Sequence, residues 1–583
     1  MRFHVLLKNS RLPVLLFAGM GAGAAAAALN SEDAAQAISR SATCMFASIP
    51  TQVQSPEAMK SYEEAEPPLW DDLGTLAYPV TTTVPEAQAY FDQGLRLTAN
   101  FNHAEARRSF RKAQRLDPDC AMCFAAEALI LGPNINVPMD PAANPAALAA
   151  MEKAQVLAGK ASAKEQDIIA AIATRYSPDP AAERAALDGA FADAMTAVAD
   201  KYPDDLALAV LAAEADMDTQ PWDYWEPGGA AAKGRTADAL GRIEGVLARS
   251  PDHPWAIHLY IHLVEASDRP ERAEPYADRL AAQMPGAGHI VHMPSHIYYR
   301  IGRYVDSLEA NKAASAVDEA YISETGAMGV YPMGYYSHNI HFVLVSAQLL
   351  GEAETVLAQA EKLDRWLTNE VATAVPIAQP VKAAPYFAWA QYAPPEQVMA
   401  LPEPPGAPPY VKAMWHYARG AALVGMKDLA GAAAEADAIA RLAAETDWSM
   451  LDAWGVPARP VLGVAEKVVR ARIAQAEGDR AKAIEHWRAA AETEDTIPYM
   501  EPPFWYYPVR QSLGAALLNQ GDVEAAANEF GAALKHARGS AWALYGLKEA
   551  AKARGDAAAE KEAETELVKS WRGDPALLTL DRL

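Results

Sequence analysis

Histidines are concentrated in one part of the sequence, at spacings that could place several of them on one surface. Six of the 13 histidines lie between residues 253 and 304. Two pairs have a spacing of four residues: His258 with His262, and His292 with His296. This spacing puts both side chains of a pair on one face of a helix. Two such imidazoles can bind one metal ion, and a ligand from a neighbouring helix completes the site. The spacing therefore predicts a transition-metal site.

Seven histidines in and just after this segment are the candidate metal ligands: His258, His262, His289, His292, His296, His338 and His341. Sites built only from imidazole favour copper or zinc. A carboxylate ligand, which Glu265 could provide, would also admit iron or manganese. Seven histidines suffice for one ion with supporting residues, or for two ions.

Three polar residues among the histidines are candidates for catalytic roles. Glu265 could act as a ligand or as a general base, and Tyr299 could donate a proton or orient a substrate. Arg300 could hold an anionic substrate through two parallel hydrogen bonds. The sequence contains no Gly-rich phosphate loop and no G-x-S-x-G or H-E-x-x-H motif, so it suggests no nucleotide cofactor.

The three cysteines carry a weaker signal. In an exported protein, the pair Cys120-x-x-Cys123 is compatible with a disulfide or with metal ligation. Phe124 stands where a c-type haem motif requires histidine, so the pair is not a haem attachment site. The remaining cysteine, Cys44, is distant from this pair in the sequence.

The elements that must position the histidines repeat every 34 residues from about residue 85 onward. The segments "GLRLTANFNHAEARRSFRKAQRLDPD" and "LGAALLNQGDVEAAANEFGAALKHA" share small residues and one aromatic at matching positions. In the first segment these are Gly94, Ala106, Phe110 and Ala113. The pattern resembles the tetratricopeptide (TPR) repeat. The resemblance implies an all-α fold, a TPR-like α-solenoid of antiparallel helix pairs in a right-handed superhelix, with Pro- and aromatic-rich inserts.

The histidines follow this repeat. His258 and His292 are 34 residues apart, and so are His262 and His296. In the TPR family the corresponding positions of the first helix of each repeat line the concave groove where ligands bind. The resemblance therefore implies that the histidines face one groove, and the two later histidines fit a looser third copy.

The pattern divides the chain into five parts. We expect a signal peptide at 1–28, an irregular segment at 29–85, a TPR-like lobe with the His-rich groove at 86–391, a Pro-rich connection at 392–410, and a second TPR-like lobe at 411–583. Inserts rich in Pro, Gly and aromatic residues interrupt the repeats. They could reach over the groove or plug gaps between repeats. These inserts lie at 132–145, 218–229, 324–336, 392–410 and 494–508.

Charge and the N-terminal residues bear on location and partners. The formal net charge of −24 argues against nucleic acid, because phosphates would be repelled. Three cations followed by the apolar run "LPVLLFAGMGAGAAAAAL" are typical of a secretory signal. We therefore expect a periplasmic or secreted protein without stable membrane insertion after cleavage. Phrases such as "IHLVEAS" and "GHIVHMPSHIYYRIGRY" also resemble a group of exported bacterial TPR proteins, which implies architecture but no reaction.

The leading hypothesis is that this is an exported TPR-repeat protein that binds a metal ion through groove-lining histidines. The bound metal could make it a metalloenzyme that acts on a small molecule. The alternative is a metal-free TPR scaffold that binds a protein segment or small ligand in its concave groove. Structural histidines that only form hydrogen bonds are a third interpretation. Metal binding requires the histidine nitrogens to converge, whereas an open groove with separated histidines would favour the scaffold.

Overall fold

The structure, a computed structural model, describes residues 56–583, with side chains from residue 60 onward. The predicted signal peptide at 1–28 and Cys44 lie outside this part of the chain. The described residues form α-helices and no strands, apart from one isolated antiparallel bridge between Trp225 and Ala232. The all-α fold predicted from the repeat is confirmed.

We number the α-helices α1 to α28 in chain order. Those of the first half are α1 (Pro56–Glu64), α2 (Pro85–Ala99), α3 (His103–Leu116), α4 (Ala121–Leu131), α5 (Asn144–Leu157), α6 (Ala163–Ala173), α7 (Arg184–Lys201), α8 (Leu206–Asp218), α9 (Thr236–Arg249), α10 (Pro254–Glu265), α11 (Glu274–Gln283), α12 (Gly288–His292), α13 (Pro294–Ile301) and α14 (Tyr304–Thr325). A π-helix, Tyr331–Tyr336, precedes α15.

The second half contains α15 (Ser337–Leu350), α16 (Ala353–Trp366), α17 (Asn369–Ala374), α18 (Ala378–Tyr392), α19 (Pro395–Ala400), α20 (Pro409–Gly425), α21 (Leu429–Glu445), α22 (Ser449–Ala453), α23 (Ala458–Glu477), α24 (Arg480–Glu494), α25 (Val509–Gln520), α26 (Val523–His536), α27 (Ala541–Arg554) and α28 (Ala557–Ser570). Helices adjacent in sequence pack side by side through most of the chain, as in a TPR-like solenoid.

The turn between the two helices of a repeat is encoded by a Gly-Asp pair. α25 ends at Gly521, whose backbone is left-handed with φ 94°, and Asp522 then caps α26 by accepting a hydrogen bond from the Ala525 N–H. Glycine adopts this φ without a Cβ penalty, and the aspartate satisfies a free N–H of the next helix. Gly555 and Asp556 repeat the arrangement 34 residues later.

Glycine also allows the paired helices to approach closely. A Cβ added at Gly94 would lie 2.4 Å from the ring of Phe110, and one added at Gly514 would lie 2.8 Å from the ring of Phe530. Each contact joins the first helix of a repeat to the second. The repeat therefore has glycine in the first helix and an aromatic residue in the second because the aromatic ring packs directly against the glycine.

Replacing Gly514 by alanine should destabilise the fold by about 1–3 kcal/mol, because the added methyl group collides with the buried Phe530 ring. Gly531, on α26, is the matched control, since an added Cβ there meets no atom within 4 Å. Gly531→Ala should stabilise its helix by about 0.5–1 kcal/mol. The midpoint of urea unfolding, followed by circular dichroism, measures both changes. Midpoint shifts of the same sign in the two variants would contradict this packing role.

The segment before the first repeat is packed against the helices. It forms α1 and then, from residue 65 to residue 84, runs without a helix. The backbone N–H of Trp70 donates to Gln93 (2.9 Å), that of Tyr78 donates to Asp92 (2.9 Å), and the N–H of Gly286 donates to the carbonyl of Asp72 (2.9 Å). The described part of the predicted 29–85 segment thus contains one helix, and hydrogen bonds hold its non-helical part against the repeats.

Buried apolar side chains form two main clusters. One contains residues from Leu73 to Tyr335, and the other contains residues from Tyr299 to Leu583 together with Tyr62. The two clusters meet at α12, α13 and the π-helix. The histidine-rich helices therefore lie where two cores adjoin, a common location for ligand sites. The predicted lobes and their Pro-rich connection at 392–410 stay a prediction.

Cys120 and Cys123 form a disulfide at the start of α4, so they do not act as a metal pair in this structure. The Cys120 sulfur also accepts a hydrogen bond from the backbone N–H of Cys123 (3.2 Å). Within residues 56–583, no helix combines the length and the apolar character needed to cross a membrane.

Candidate metal centre

The candidate histidines are held by four helices that are buried almost throughout. α10 carries His258 and His262; it begins at Pro254, and His253 caps it by accepting from the Ala256 N–H (3.2 Å). Proline is favoured in the first turn, where its missing N–H is not needed. Only Met293 separates α12 from α13, so the two short helices continue one another. α12 carries His289 and His292, α13 carries His296, and α15 carries His338 and His341.

Three histidines, which we call the first trio, converge from α10 and α12: His258, His262 and His289. One ring nitrogen of each lies within 4.8 Å of the others, and the side chains belong to residues at most 2 % exposed. The sequence predicts that these histidines lie on one surface, and in the structure their ring nitrogens converge.

Several ring nitrogens of the first trio lack hydrogen-bond partners. His258 Nδ1 lies 2.7 Å from the Ala99 carbonyl oxygen, and His262 Nδ1 lies 2.8 Å from Glu265 Oε1. Both oxygens can only accept, so both protons are on Nδ1. The Nε2 atoms of these two residues, and both ring nitrogens of His289, are buried without a hydrogen-bond partner. Leaving such atoms buried and unpaired costs free energy, which a bound cation would recover.

A second trio adjoins the first: His292, His296 and His338, again with nitrogens within 4.8 Å of one another. The nearest rings across the boundary are His262 with His296, whose centroids are 5.3 Å apart, and His289 with His292, at 5.7 Å. Of the six residues in the two trios, His338 is the partly exposed one.

Glu265 lies between the trios and is fully buried. Its Oε1 accepts from His262, and its Oε2 accepts from His296 Nδ1 (2.8 Å) and from the Tyr499 hydroxyl (2.8 Å). Burial by itself raises the pKa of Glu265, but the charges and hydrogen bonds of His296 and His262 outweigh it and hold that pKa below its ordinary range. The carboxylate is thus ionised and orients one imidazole of each trio.

His262, Glu265 and His296 also lie close enough together to ligate one ion. That arrangement would use the two Nδ1 atoms that already donate to the carboxylate, and it would leave His262 Nε2 buried and unpaired. If Glu265 is instead a supporting residue, both Nδ1 atoms keep their hydrogen bonds to it and His262 Nε2 is free to bind a metal ion. A carboxylate behind a ligating histidine is the usual way to fix its tautomer and ring orientation.

Burial keeps three of the histidines in the neutral form that binds metals. Burial lowers the pKa of His258, His289 and His292 well below the usual histidine value, and neighbouring histidines lower it further. Neutral imidazole is the metal-ligating form.

Aromatic residues from several loops cover the trios. The ring of Phe101 lies 4.4 Å from that of His258, Trp222 lies 5.3 Å from His262, and Tyr335 lies 4.6 Å from His289. Trp222 Nε1 donates to Asn136 Oδ1 (3.1 Å), whose amide faces the Tyr335 hydroxyl (3.5 Å). Three of the predicted inserts, at 132–145, 218–229 and 324–336, therefore meet over the histidines.

Two of these covering residues have strained backbones. Phe101 has φ 55° and Trp222 has φ 66°, and the described residues contain one further non-glycine residue with positive φ, Lys427. Non-glycine residues rarely adopt this conformation, and when they do it is often at functional sites. Because Phe101 and Trp222 both contact the first trio, the fold holds strained residues in place next to the histidines.

Not all predicted residues join the trios. His341 lies on α15, but its Nε2 pairs with the Tyr506 hydroxyl (2.9 Å) and it belongs to neither trio. Tyr299 packs its ring on Tyr304 and Phe342. Phe342 in turn lies against the second trio.

Arg300 makes structural contacts at the end of α10, and its predicted contact with a substrate stays a prediction. Its Nε donates to the backbone carbonyl of Glu265 (2.8 Å), and its guanidinium lies 5.1 Å from the centre of the Tyr499 ring. These contacts hold the end of α10, and with it the position of the shared carboxylate. The scaffold alternative requires an open groove with separated histidines, whereas six of the seven histidines are at most 3 % exposed and the inserts lie over them.

Two supporting residues are not among those predicted from the sequence. Asn311, on α14, accepts from His292 Nδ1 (2.5 Å), and Tyr499 donates to Glu265. Tyr499 belongs to the aromatic insert 494–508, which the sequence marks as a loop able to reach the groove. Nothing in the repeat pattern marks Asn311.

A second buried polar group consists of Arg175, Asp218 and Glu214. Arg175 donates to Asp218 (2.6 Å), and burial, with the charge of Asp218, raises the pKa of nearby Glu214 to about 8. Because this folded-state pKa lies above the ordinary value of 4.5, the unfolded chain releases this proton first as pH rises.

Glu214 should therefore make the fold less stable with rising pH between about 4.5 and 8, by up to about 1.4 kcal/mol per pH unit. Glu214→Gln, which mimics the protonated acid, should remove this component. Urea unfolding at a series of pH values in this window measures the slope for both proteins. Parallel pH profiles for the wild type and the variant would contradict the prediction.

Among known proteins, the similarities of this chain are to solved structures of low sequence identity. No protein-family model matches the chain, and no curated protein matches it. Solved structures with related folds include a human IFIT1 dimer with m7Gppp-AAAA (11 % identity, 84 % of this chain and 90 % of that chain, TM-score 0.31) and yeast Tom70 (13 %, 95 % and 98 %, 0.25). The P58(IPK) TPR domain is another (12 %, 81 % and 99 %, 0.19). At these scores the similarities carry no argument about function.

Proposed function

We propose that this protein binds a transition metal ion through the first trio, His258, His262 and His289, and that copper is the preferred metal. The observation that carries the proposal is the set of buried imidazole nitrogens that converge without hydrogen-bond partners. Nitrogen sites of this kind bind Cu²⁺ more tightly than Zn²⁺ or Fe²⁺, and imidazole suits each of these metals.

Three protein ligands make a catalytic role reasonable. A structural zinc or copper site usually fills its coordination sphere with protein atoms, whereas a catalytic site with three protein ligands keeps one position for water or substrate. The aromatic cover of Phe101, Trp222 and Tyr335 restricts that position to a small molecule. We therefore favour a metalloenzyme acting on a small molecule over a metal store.

The metal-free scaffold is less well supported at this place in the fold. A peptide-binding groove needs exposed contact residues, and six of the seven candidate histidines are buried. The Cys120–Cys123 disulfide supports a location in an oxidising compartment such as the periplasm or the extracellular space.

The test is metal content. Protein exported to the periplasm is stripped with a chelator, loaded separately with copper, zinc, iron and manganese, dialysed, and analysed by elemental mass spectrometry. The wild type should retain copper at one or more ions per chain, and His258→Ala/His289→Ala should lose the ion of the first trio. His486→Ala/His536→Ala, in two histidines outside both trios, is the matched control and should retain the wild-type content.

Circular dichroism must show native helix content in each variant. A wild type that retains none of the four metals would overturn the proposal and favour the scaffold. Unchanged copper content in His258→Ala/His289→Ala would place the metal elsewhere and overturn the assigned ligands.

A further inference from the structure

We infer that the second trio, His292, His296 and His338, is a second copper site, so that the protein holds a dinuclear copper centre with Glu265 as a shared supporting carboxylate. The inference rests on the proposed function for the kind of metal. Its own support is the hydrogen bonding of the second trio, which differs from that of the first.

The first step is the tautomer of His292. Asn311 Nδ2 donates to the Ser307 carbonyl (2.7 Å), so the side-chain oxygen of Asn311 faces His292. That oxygen can only accept a hydrogen bond, and it lies 2.5 Å from His292 Nδ1. The proton of neutral His292 is therefore on Nδ1, and its Nε2 carries a lone pair.

The second step is the tautomer of His296. Its Nδ1 lies 2.8 Å from Oε2 of the ionised Glu265, which again can only accept. In neutral His296 the Nε2 also carries a lone pair, whereas in protonated His296 the Nε2–H would donate to His292 Nε2. The two Nε2 atoms face one another at 2.8 Å.

Two lone pairs at this distance repel unless a cation lies between or beside them. Two nitrogens bound to one ion at about 2.0–2.1 Å lie about 2.9 Å apart at a right angle, which is the tetragonal angle of copper(II), so the observed separation suits a pair of ligands on one copper(II) ion. His338, with a nitrogen within 4.8 Å of both, supplies the third ligand. The other cation that fits is a proton, and counting metal ions distinguishes the two.

The net charge of the two trios sets the cost of each oxidation state of copper. The two trios contribute six neutral imidazoles, and the shared Glu265 contributes a single negative charge. Two monovalent ions would leave one net positive charge, whereas two divalent ions would leave three in a buried region, at a much greater cost. The partial exposure of His338 gives the second ion a way in from solvent.

The experiment counts copper in the stripped and copper-loaded full chain. The wild type should hold two copper ions per chain, and His292→Ala/His338→Ala and His258→Ala/His289→Ala should each hold one. After oxidation to copper(II), each variant should give the spectrum of an isolated ion by electron paramagnetic resonance. The wild type should instead show the broadening or loss of signal produced by two interacting ions.

Each other outcome is decisive. One copper per wild-type chain, lost in His258→Ala/His289→Ala, would overturn the second site and leave the proposed function intact. No copper in the wild type would overturn both. Two coppers retained in His292→Ala/His338→Ala would place the second ion elsewhere. The double variant His292→Ala/His338→Ala could fail to fold. In that case the copper content of His338→Ala, a change at a partly exposed position, and the wild-type spectrum still show whether the second ion is present.

Discussion

Replacing His262 by alanine is expected to weaken copper binding at the first trio by on the order of 100- to 1000-fold. Structural zinc sites with four protein ligands have apparent binding free energies of about 10–16 kcal/mol, so one ligand accounts for about 2.5–4 kcal/mol, and each 1.4 kcal/mol is tenfold. His262 offers its Nε2 to the metal and also holds Glu265 through Nδ1. Titration against a chromophoric copper(I) chelator gives the affinity.

His341→Ala is the matched control for this change. His341 was also a predicted ligand and is equally buried, but its Nε2 pairs with the Tyr506 hydroxyl. Its loss should lower stability through the lost hydrogen bond and packing while leaving copper affinity as in the wild type. Equal losses of copper affinity in the two variants would contradict the proposal that His262 is a ligand and His341 is not.

Glu265→Gln is expected to weaken copper binding at both trios by about 10- to 100-fold, the usual effect of removing a partner that orients a ligating histidine. Glutamine keeps the size of the side chain but replaces one accepting oxygen with a donating NH₂ group. That group would face a ring N–H of His262 or His296, so one trio would lose its hydrogen-bond acceptor, while the loss of the negative charge would weaken cation binding at both trios. Copper titration followed by electron paramagnetic resonance separates the two sites.

Glu309→Gln, on the exposed face of α14, is the control and should bind copper as the wild type does. Loss of affinity at one trio alone would contradict the shared role of the carboxylate. Complete loss of a single bound ion would instead identify Glu265 as a direct ligand, in the alternative grouping with His262 and His296.

The local parts of this molecule could be predicted from sequence because short-range geometry sets them. A spacing of four residues puts His258 and His262 on one face of any helix, whatever surrounds it. Gly521 and Asp522 determine where one helix ends and the next begins, because few other residues satisfy that turn. The 34-residue period then predicts that equivalent residues of successive repeats lie on one surface.

Only the tertiary structure decided how the histidines are divided. His289 is three residues from His292, yet its nitrogen joins His258 and His262 on α10, while His292 joins His296 and His338. Which nitrogens converge depends on how the helices are packed and on the side-chain rotamers that packing allows, and these are set by residues far away in the sequence.

The roles of the polar neighbours were decided in the same way. Glu265 lies within the histidine pattern, but its position between two trios follows from the packing of α10 against α13. Arg300 is in register with the groove, and its Nε donates to the backbone carbonyl at the end of α10. The sequence by itself determined the solenoid, its turns and the face that carries the histidines. The long-range packing of inserts and helices turned that face into a buried, partitioned centre, because contacts between distant residues leave no periodic signal in the chain.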